Sequence, residues 1–304
     1  MVSRIDFTGR VAIVTGAGGG LGREHARALA ARGAKVVVND FERAAPGGIS
    51  AAQAVVDEIR AAGGTAVANP ASVTDEPAMR AMVADAVDRW GRVDILVNNA
   101  GILRDRSFAK MDLADFRLVL DVHLMGAVIC SHAVWEVMRA RKYGRIVMTT
   151  SSSGLFGNFG QSNYSAAKMA LVGLMQTLAI EGAKHDIRVN CLAPTAATQM
   201  TAGLWPEAVL DAFRPELVTP ALLVLAAEDA PNRLILCAGA GTFEAAHITV
   251  TNGVWIGGGE DAAERLRDRL LEVTDRTDAT TPHGAEAQGM NEAAKAQAGS
   301  VRGH

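Results

Sequence analysis

Tyr164 and Lys168 stand four residues apart in the run Tyr164-Ser165-Ala166-Ala167-Lys168. On a helix, that spacing sets both side chains on one face. A phenol with a reference pKa of ~10 is a poor base at neutral pH. A neighbouring ammonium stabilises the phenolate and lowers that value by ~1–3 units. The pair would then serve as a general acid/base near pH ~7–8. Ser151 lies 13 residues earlier, just after an apolar run that reads as a strand, so its hydroxyl can hold a substrate oxygen near Tyr164. Taken alone, a Tyr and a Lys at this spacing are also an ordinary helix-face pair.

A second cluster is built to hold a ligand rather than to react. Thr15-Gly16-Ala17-Gly18-Gly19-Gly20-Leu21-Gly22 follows a short Val-rich run and opens a helical stretch. Glycines at 16, 20 and 22 permit positive φ and let a pyrophosphate approach the backbone. The helix start at Leu21 would then offer free N–H groups to phosphate oxygens. Asp40 ends the second strand-like run, 20 residues after Gly20. An acid there accepts hydrogen bonds from an adenosine ribose and repels a 2′-phosphate, which favours NAD over NADP. Arg23 and Arg43 speak the other way, since either could reach a 2′-phosphate. Asn98-Asn99-Ala100-Gly101 closes the fourth strand-like run, where small residues admit a ligand and the Asn side chains can tie strands together.

The elements that must position these residues alternate regularly. Strands are expected at 11–15, 35–39, 65–68, 94–97, 145–150 and 187–192. Helices are expected at 21–32, 50–62 with Ser50 as N-cap, 77–90, 116–141 and 164–184. Short unbroken apolar strands alternating with long helices imply parallel βαβ units. The expected fold is α/β, doubly wound, with the ligand outside the carboxyl ends of the strands. Beyond it, residues 195–220 hold Pro206, Pro215 and Pro220 and read as a lid. Residues 222–227 and 261–273 read as helices, and 234–238 and 247–250 as strands. The final ~25 residues are polar and rich in Ala, Gly and Gln, and are expected to be poorly ordered or to pack on a neighbouring subunit. One domain over residues 1–260 with an appended segment 261–304 is the simplest division.

Composition narrows the class. The chain of 304 residues is 49% hydrophobic and 21% charged, with a net charge of −3. That excludes a mostly disordered chain and gives no basic footprint for nucleic acid. Cys130, Cys191 and Cys237 are odd in number and widely spaced, so neither a disulfide framework nor a metal site is expected. A reducing, cytoplasmic setting fits. No apolar run approaches the ~18 residues of a membrane span, and the polar first residues do not resemble a signal peptide.

Together these motifs resemble the classical short-chain dehydrogenases/reductases. The resemblance runs from about Thr8 to Gly259 and includes the glycine turn, Asn-Asn-Ala-Gly, the strand-end Ser and Tyr-x-x-x-Lys in order. It implies a Rossmann fold of about seven parallel strands with helices on both faces, in a homodimer or homotetramer. It implies hydride transfer between an alcohol carbon and nicotinamide. Tyr164 would be the acid/base, Ser151 would hold the substrate oxygen, and Lys168 would bind the nicotinamide ribose and lower the Tyr164 pKa. A narrower likeness rests on residues 15–40, on 98–108 with Ile102-Leu103-Arg104-Asp105-Arg106, on 142–149 and on 157–168. These look like the (3R)-hydroxyacyl-CoA dehydrogenase units of multifunctional enzymes type 2 and their bacterial relatives acting on acyl-CoA or steroids.

Three positions depart from the general family pattern. His123 stands where many members carry an Asn that supports a water-linked proton relay; it is either a relay group or a core histidine bonded to backbone. Ala71 replaces the usual acid after the third strand, leaving Ser72 and Val73 to meet the adenine. Pro194-Thr195 replaces the Pro-Gly turn after the sixth strand, and Thr198 is the candidate for the carboxamide. For the substrate, Leu155, Phe156, Phe159, Met200, Leu204 and Trp205 would line an apolar pocket suited to an acyl chain or a steroid. Each of them is equally suited to plain packing. Arg104, Arg106 and Lys110 could attract CoA phosphates, or could be ordinary surface charges. The reading is an NAD-dependent 3-hydroxyacyl-CoA dehydrogenase; a hydroxysteroid or other secondary-alcohol dehydrogenase uses the same residues. A non-catalytic dinucleotide sensor, or a subunit whose tail serves assembly, are the readings outside that class.

Overall fold

In the computed structural model, residues 4–41, 49–197 and 211–301 are described. Eight strands form one sheet in the order β3-β2-β1-β4-β5-β6-β7-β8. They are β1 (Val11–Thr15), β2 (Lys35–Asn39), β3 (Thr65–Asn69), β4 (Ile95–Asn98), β5 (Gly144–Thr149), β6 (Ile187–Thr195), β7 (Ile235–Gly239) and β8 (Thr242–Ala246). The first seven pair in parallel, with registers such as Ile13↔Val37, Ile13↔Leu96 and Met148↔Cys191. The order reverses between β1 and β4, which opens a crevice at their carboxyl ends.

The strands are apolar throughout because both faces are covered. Alternate residues of β1 serve different layers. Ala12 and Val14 join the core under α1 (Gly20–Ala30) and α2 (Ala51–Ala61). Val11 and Ile13 join the core under α3 (Glu76–Trp90), α5 (Gly126–Arg141) and α7 (Ser162–Gly182). Between these helices lie α4 (Leu113–Leu120) and α6 (Ser152–Phe156), and α8 (Thr219–Ala226) follows β6. The ends of the helices follow local chemistry. Ser50 caps α2 through the N–H of Gln53, and Asp75 caps α3 through that of Ala78. Gly91 closes α3 in the left-handed conformation.

Four expectations need correction. The helix expected over 116–141 is interrupted by a π-helical turn at Asp121–Met125, which hydropathy cannot register because the apolar period continues through it. The strand expected at 247–250 is absent: the last strand is β8, antiparallel to β7, because Ala240 and Gly241 both take positive φ and close a two-residue hairpin. The 261–273 helix is two pieces, α9 (Ala262–Asp268) and α10 (Leu270–Val273), divided at Arg269. The tail is not irregular: Ala285–Val301 forms α11, consistent with its Ala, Glu, Gln and Lys, all strong helix formers. The segment Leu113–Arg141 is long and apolar enough by composition to cross a membrane. Here it carries the π turn, and α5 packs on the sheet with Val134 and Met138 in the core.

The chain divides into two compact units, Met1–Ala246 and His247–His304; the sequence expectation places the start of the appended segment at residue 261. Within the second unit Val250 bridges to Thr280.

Candidate active site

The β1–α1 turn is shaped as a cradle. Gly16 and Gly20 have φ of 62° and 51°. A Cβ on Gly22 would collide with the Gly16 carbonyl and the Asn99 side chain, so α1 can begin this close to β1 only with glycine there. Gly19 is the N-cap of α1 and brings no side chain to the first-turn N–H groups, leaving them for an anion. Around Gly19 a Cβ would meet open space. The residues present therefore fit a dinucleotide pyrophosphate.

Side chains at the crevice lock this turn. Asn99 donates to the carbonyls of Thr15 and Gly16, both at 3.0 Å. The Thr15 hydroxyl accepts the N–H groups of Asn99 and Ala100 and donates to Val97. Asp40, at the end of β2, accepts the Gly18 N–H at 2.8 Å. Arg23 does not reach out from α1: it pairs with Glu58 at 2.8 Å and with Glu24 at 2.5 Å. Ser72 spends its hydroxyl locally on Thr74 at 2.8 Å. Val73 is buried, and its side chain packs where a Cβ on Gly126 would stand. Pro194 lies near the end of β6, half-buried. Thr198, Met200, Leu204 and Trp205, with Arg43 and half of the 195–220 segment, fall outside the described residues.

Ser151, Tyr164 and Lys168 converge at the carboxyl end of β5. Ser151 is the N-cap of α6 and accepts the Ser153 N–H. Its hydroxyl also bears on Tyr164, where it favours the ionised phenol. Lys168 is 3% exposed and donates from Nζ to the Thr149 carbonyl at 2.6 Å. Its Nζ lies 5.4 Å from the centre of the Tyr164 ring. Burial brings the Lys168 pKa down to about 7. Burial also raises the Tyr164 pKa, against the lowering effect of the Ser151 hydroxyl, and Asp105 raises it further through its charge. Thus in the protein alone the phenol is harder to ionise than a free one, contrary to the expectation built on the ammonium. Desolvation outweighs a cation that is itself poised to lose its proton.

His123 sits on the π turn, buried, with its ring edge-on to Tyr164 at 5.2 Å between centroids. A Cβ on Gly101 would overlap the imidazole, which explains glycine there. Nε2 is 3.0 Å from the Ile102 N and 2.8 Å from the Ile102 O. Burial, then the Lys168 charge, bring the His123 pKa down to about 3, so the ring is neutral. Among the described residues its Nδ1 has no hydrogen-bond partner, nor has Asn98 Oδ1. Thr15, Asn98, His123 and Lys168 border a cavity of about 10 Å³, close to the size that one water occupies. One ring nitrogen, Nε2, is thus held by backbone, and the residue also lines the small cavity.

Phe159 is 90% exposed at the tip of the loop ahead of α7, and Phe156 is 76% exposed. Sequence reasoning read Thr15 and Asn98 only as parts of their motifs and gave Thr149 no role, because these types are common and their contacts depend on strand register. It also passed over Gln161 and Asn163, which bond to the 102–106 loop; their closeness to Tyr164 was the available signal. Among the described residues no cluster of His, Cys, Asp or Glu could hold a metal.

The sequence model of the short chain dehydrogenase family matches residues 10–208. The chain belongs to that family. It is therefore an oxidoreductase of the CH–OH group that takes a nicotinamide dinucleotide. Its similarity to the peroxisomal multifunctional enzyme type 2 of Drosophila melanogaster is 52% identity over 228 residues, which is 74% of this chain and 38% of that protein. The solved structure of the full-length Drosophila enzyme has a TM-score of 0.78 at 41% identity, covering 94% of this chain and 49% of that one. A 7α-hydroxysteroid dehydrogenase complexed with NADH and 7-oxo glycochenodeoxycholic acid has a TM-score of 0.71 at 32% identity, covering 79% and 98%. The chain thus spans between about a quarter and a half of the length of the curated multifunctional relatives it matches. In this family member the glycine turn and the Ser151–Tyr164–Lys168 group share one crevice.

Proposed function

We propose that this dehydrogenase interconverts a 3-hydroxyacyl-CoA and its 3-keto form with NAD, the chemistry lying within residues 1–260. The observation that carries the reaction type is the convergence of Ser151, Tyr164 and Lys168 beside a glycine cradle closed by Asp40. Gly20, Leu21 and Gly22 would hold the pyrophosphate, Asp40 the adenosine ribose, Ser72 and Val73 backbone the adenine, and Asn99, Gly101, Lys168 and Pro194 the nicotinamide half. Thr198 is assigned to the carboxamide. When bound, the oxidised dinucleotide would supply a hydride acceptor and a positive ring charge.

Ser151 hydrogen-bonds the substrate oxygen, and Tyr164 takes the alcohol proton during oxidation or returns it during reduction. Neutral His123 would hold the water that takes the proton onward: with Nε2–H given to the Ile102 carbonyl, Nδ1 accepts from that water, and with Nε2 accepting the Ile102 N–H, Nδ1 donates to it in the small cavity beside Lys168.

Preference for NAD is supported by the Asp40 charge and by the capture of Arg23 between Glu24 and Glu58. The CoA thioester is supported by an amphipathic rim: exposed Phe108, Phe156 and Phe159 lie near Arg104, Arg106 and Lys110 in sequence and loop pairing. Met200 and Trp205 are assigned to the lid side of the same pocket. Assembly as a homodimer or homotetramer is part of the proposal. The three cysteines are free, and burial pushes the Cys130 thiol up to about 12, which suits a reducing compartment. The peroxisomal location belongs to the relatives' names.

A steroid alcohol is the second reading, favoured by the fold match to the hydroxysteroid dehydrogenase. The test is NADH formation by purified protein with (3R)- and (3S)-hydroxyacyl-CoA and a 17β-hydroxysteroid, with NADP as comparator. The (3R) thioester should turn over with NAD, and Tyr164→Phe should lose ~10²–10⁴-fold in rate. Turnover of the steroid alone overturns the substrate assignment; NADP as the better cofactor overturns the role given to Asp40.

A further inference from the structure

The loop after β4 is fastened to the chain just ahead of Tyr164. The Arg106 N–H donates to the Gly160 carbonyl at 2.9 Å. Gln161, 7% exposed, donates from Nε2 to Asp105 Oδ2 at 2.7 Å and accepts from Asn158 at 3.0 Å. Asn163, fully buried, donates to the Arg104 carbonyl at 2.9 Å while its Oδ1 accepts the N–H of Tyr164 at 2.7 Å. Two side-chain amides, at 161 and 163, thereby connect the Arg104-Asp105-Arg106 loop to the backbone of the catalytic tyrosine. Asp105 supplies the only charged partner among these contacts.

We propose that Asp105 is a positioning residue that latches this loop to the start of α7 through Gln161 and so fixes the aim of the Tyr164 phenol. This rests on the reading of Tyr164 as the acid/base. The latch also brings a negative charge to the phenol. The groups that face or bear on Tyr164 are Lys168 from its own helix, neutral His123 from the π turn, Ser151 from the end of β5, and Asp105 from the loop. Of these, Asp105 favours the protonated phenol and Ser151 opposes it. A latch that is merely structural would leave the titration of the phenol alone.

The chain has two tyrosines, so tyrosinate absorbance of the substrate-free protein reads Tyr164 after subtraction of a matched Tyr164→Phe variant. Asp105→Asn keeps an acceptor for Gln161 and drops the charge, at an exposed position where the fold is not at risk. Its phenol should titrate at lower pH than in the parent. Gln161→Leu keeps the charge but frees it; it should move the midpoint the same way by less, and lower kcat by roughly ten- to a hundredfold with a smaller change in KM. The double variant should go no further than Asp105→Asn. The pH profile of alcohol oxidation should follow the titration. An unshifted Asp105→Asn midpoint, or additive shifts in the double variant, overturns the latch. The titration needs no substrate, so an incorrect substrate assignment leaves this result standing, and an active parent with an unshifted variant sinks the latch alone.

Discussion

At the amino ends of the strands Arg145 is fully buried, and each of its five guanidinium N–H groups has an acceptor. They reach the carbonyls of Ala227, Gly144, Asp186 and Glu228, at 2.7–2.9 Å, and the Asp186 carboxylate at 3.1 Å. Nearby, Asp94 accepts the Val11 N–H at 2.8 Å and pairs with Arg92 at 2.5 Å. At the carboxyl ends Lys168 is almost as deeply buried, yet among the described residues its ammonium donates to one carbonyl, that of Thr149. His123 Nδ1, Asn98 Oδ1 and Thr149 Oγ1 around it have no partner among the described residues. Buried polar groups in native proteins are normally satisfied. One end of this sheet keeps that rule to hold strands and loops together. The other breaks it where a ligand, a substrate and a moving proton would complete the set.

The two buried cations should therefore respond in opposite directions when their charge is removed. Arg145→Met should have the largest effect. It strands three loop carbonyls and Asp186, and removing one partner of a buried ionic network costs roughly 3–5 kcal/mol. Thermal unfolding should show a drop of about ten degrees, with kcat per folded molecule unchanged. A drop of only a degree or two would mean that water replaces the guanidinium and that the hub is not tightly closed.

Lys168→Met should abolish turnover and yet stabilise the cofactor-free protein. The folded-state pKa of Lys168 is about 7 against an ordinary 10.5. The unfolded chain therefore binds more protons between these values, and this lysine's penalty on the fold is complete below about pH 7. It fades as pH rises towards 10.5. The melting temperature of the variant should exceed the parent's by several degrees at pH 6, and the gap should narrow through pH 8 and 9. A variant less stable than the parent at pH 6 would show that Lys168 is satisfied by more than Thr149, and the two ends would then be alike. Loss of function with gain of stability is the usual trade at a site of this kind.

The chemistry was readable in the sequence because it is written locally. Tyr164 and Lys168 share a helix turn, and residues 16–22 share one loop, so type and spacing suffice. The doubly wound parallel sheet was readable from unbroken apolar strands alternating with helices. What escaped depends on contacts between distant residues. Asp105 and Gln161 meet across 56 positions, and Arg145 finds carbonyls 41, 82 and 83 positions away; in sequence it is only an arginine in an apolar strand. The sign of the Tyr164 shift escaped for the same reason, since spacing reveals the cation and not the burial that outweighs it. The π turn under His123 escaped because its apolar pattern is continuous with the helices on either side.

The smallest expected effect sharpens the comparison most, because it separates charge from burial at the well-paired end. Glu228 has two links to that end. Its backbone carbonyl accepts from Arg145 at 2.7 Å, inside the protein. Its side chain, 80% exposed, pairs with Arg10 at 3.2 Å. Glu228→Ala removes the second link and leaves the first. Exposed ion pairs contribute about 0–1 kcal/mol because solvent screens them and both side chains lose freedom. The melting temperature should therefore move by no more than roughly two degrees, and the small difference should vanish in high salt. A loss approaching that of Arg145→Met would mean that the surface pair itself orders the loop after α8, and that the amino end is held from outside rather than by the buried guanidinium.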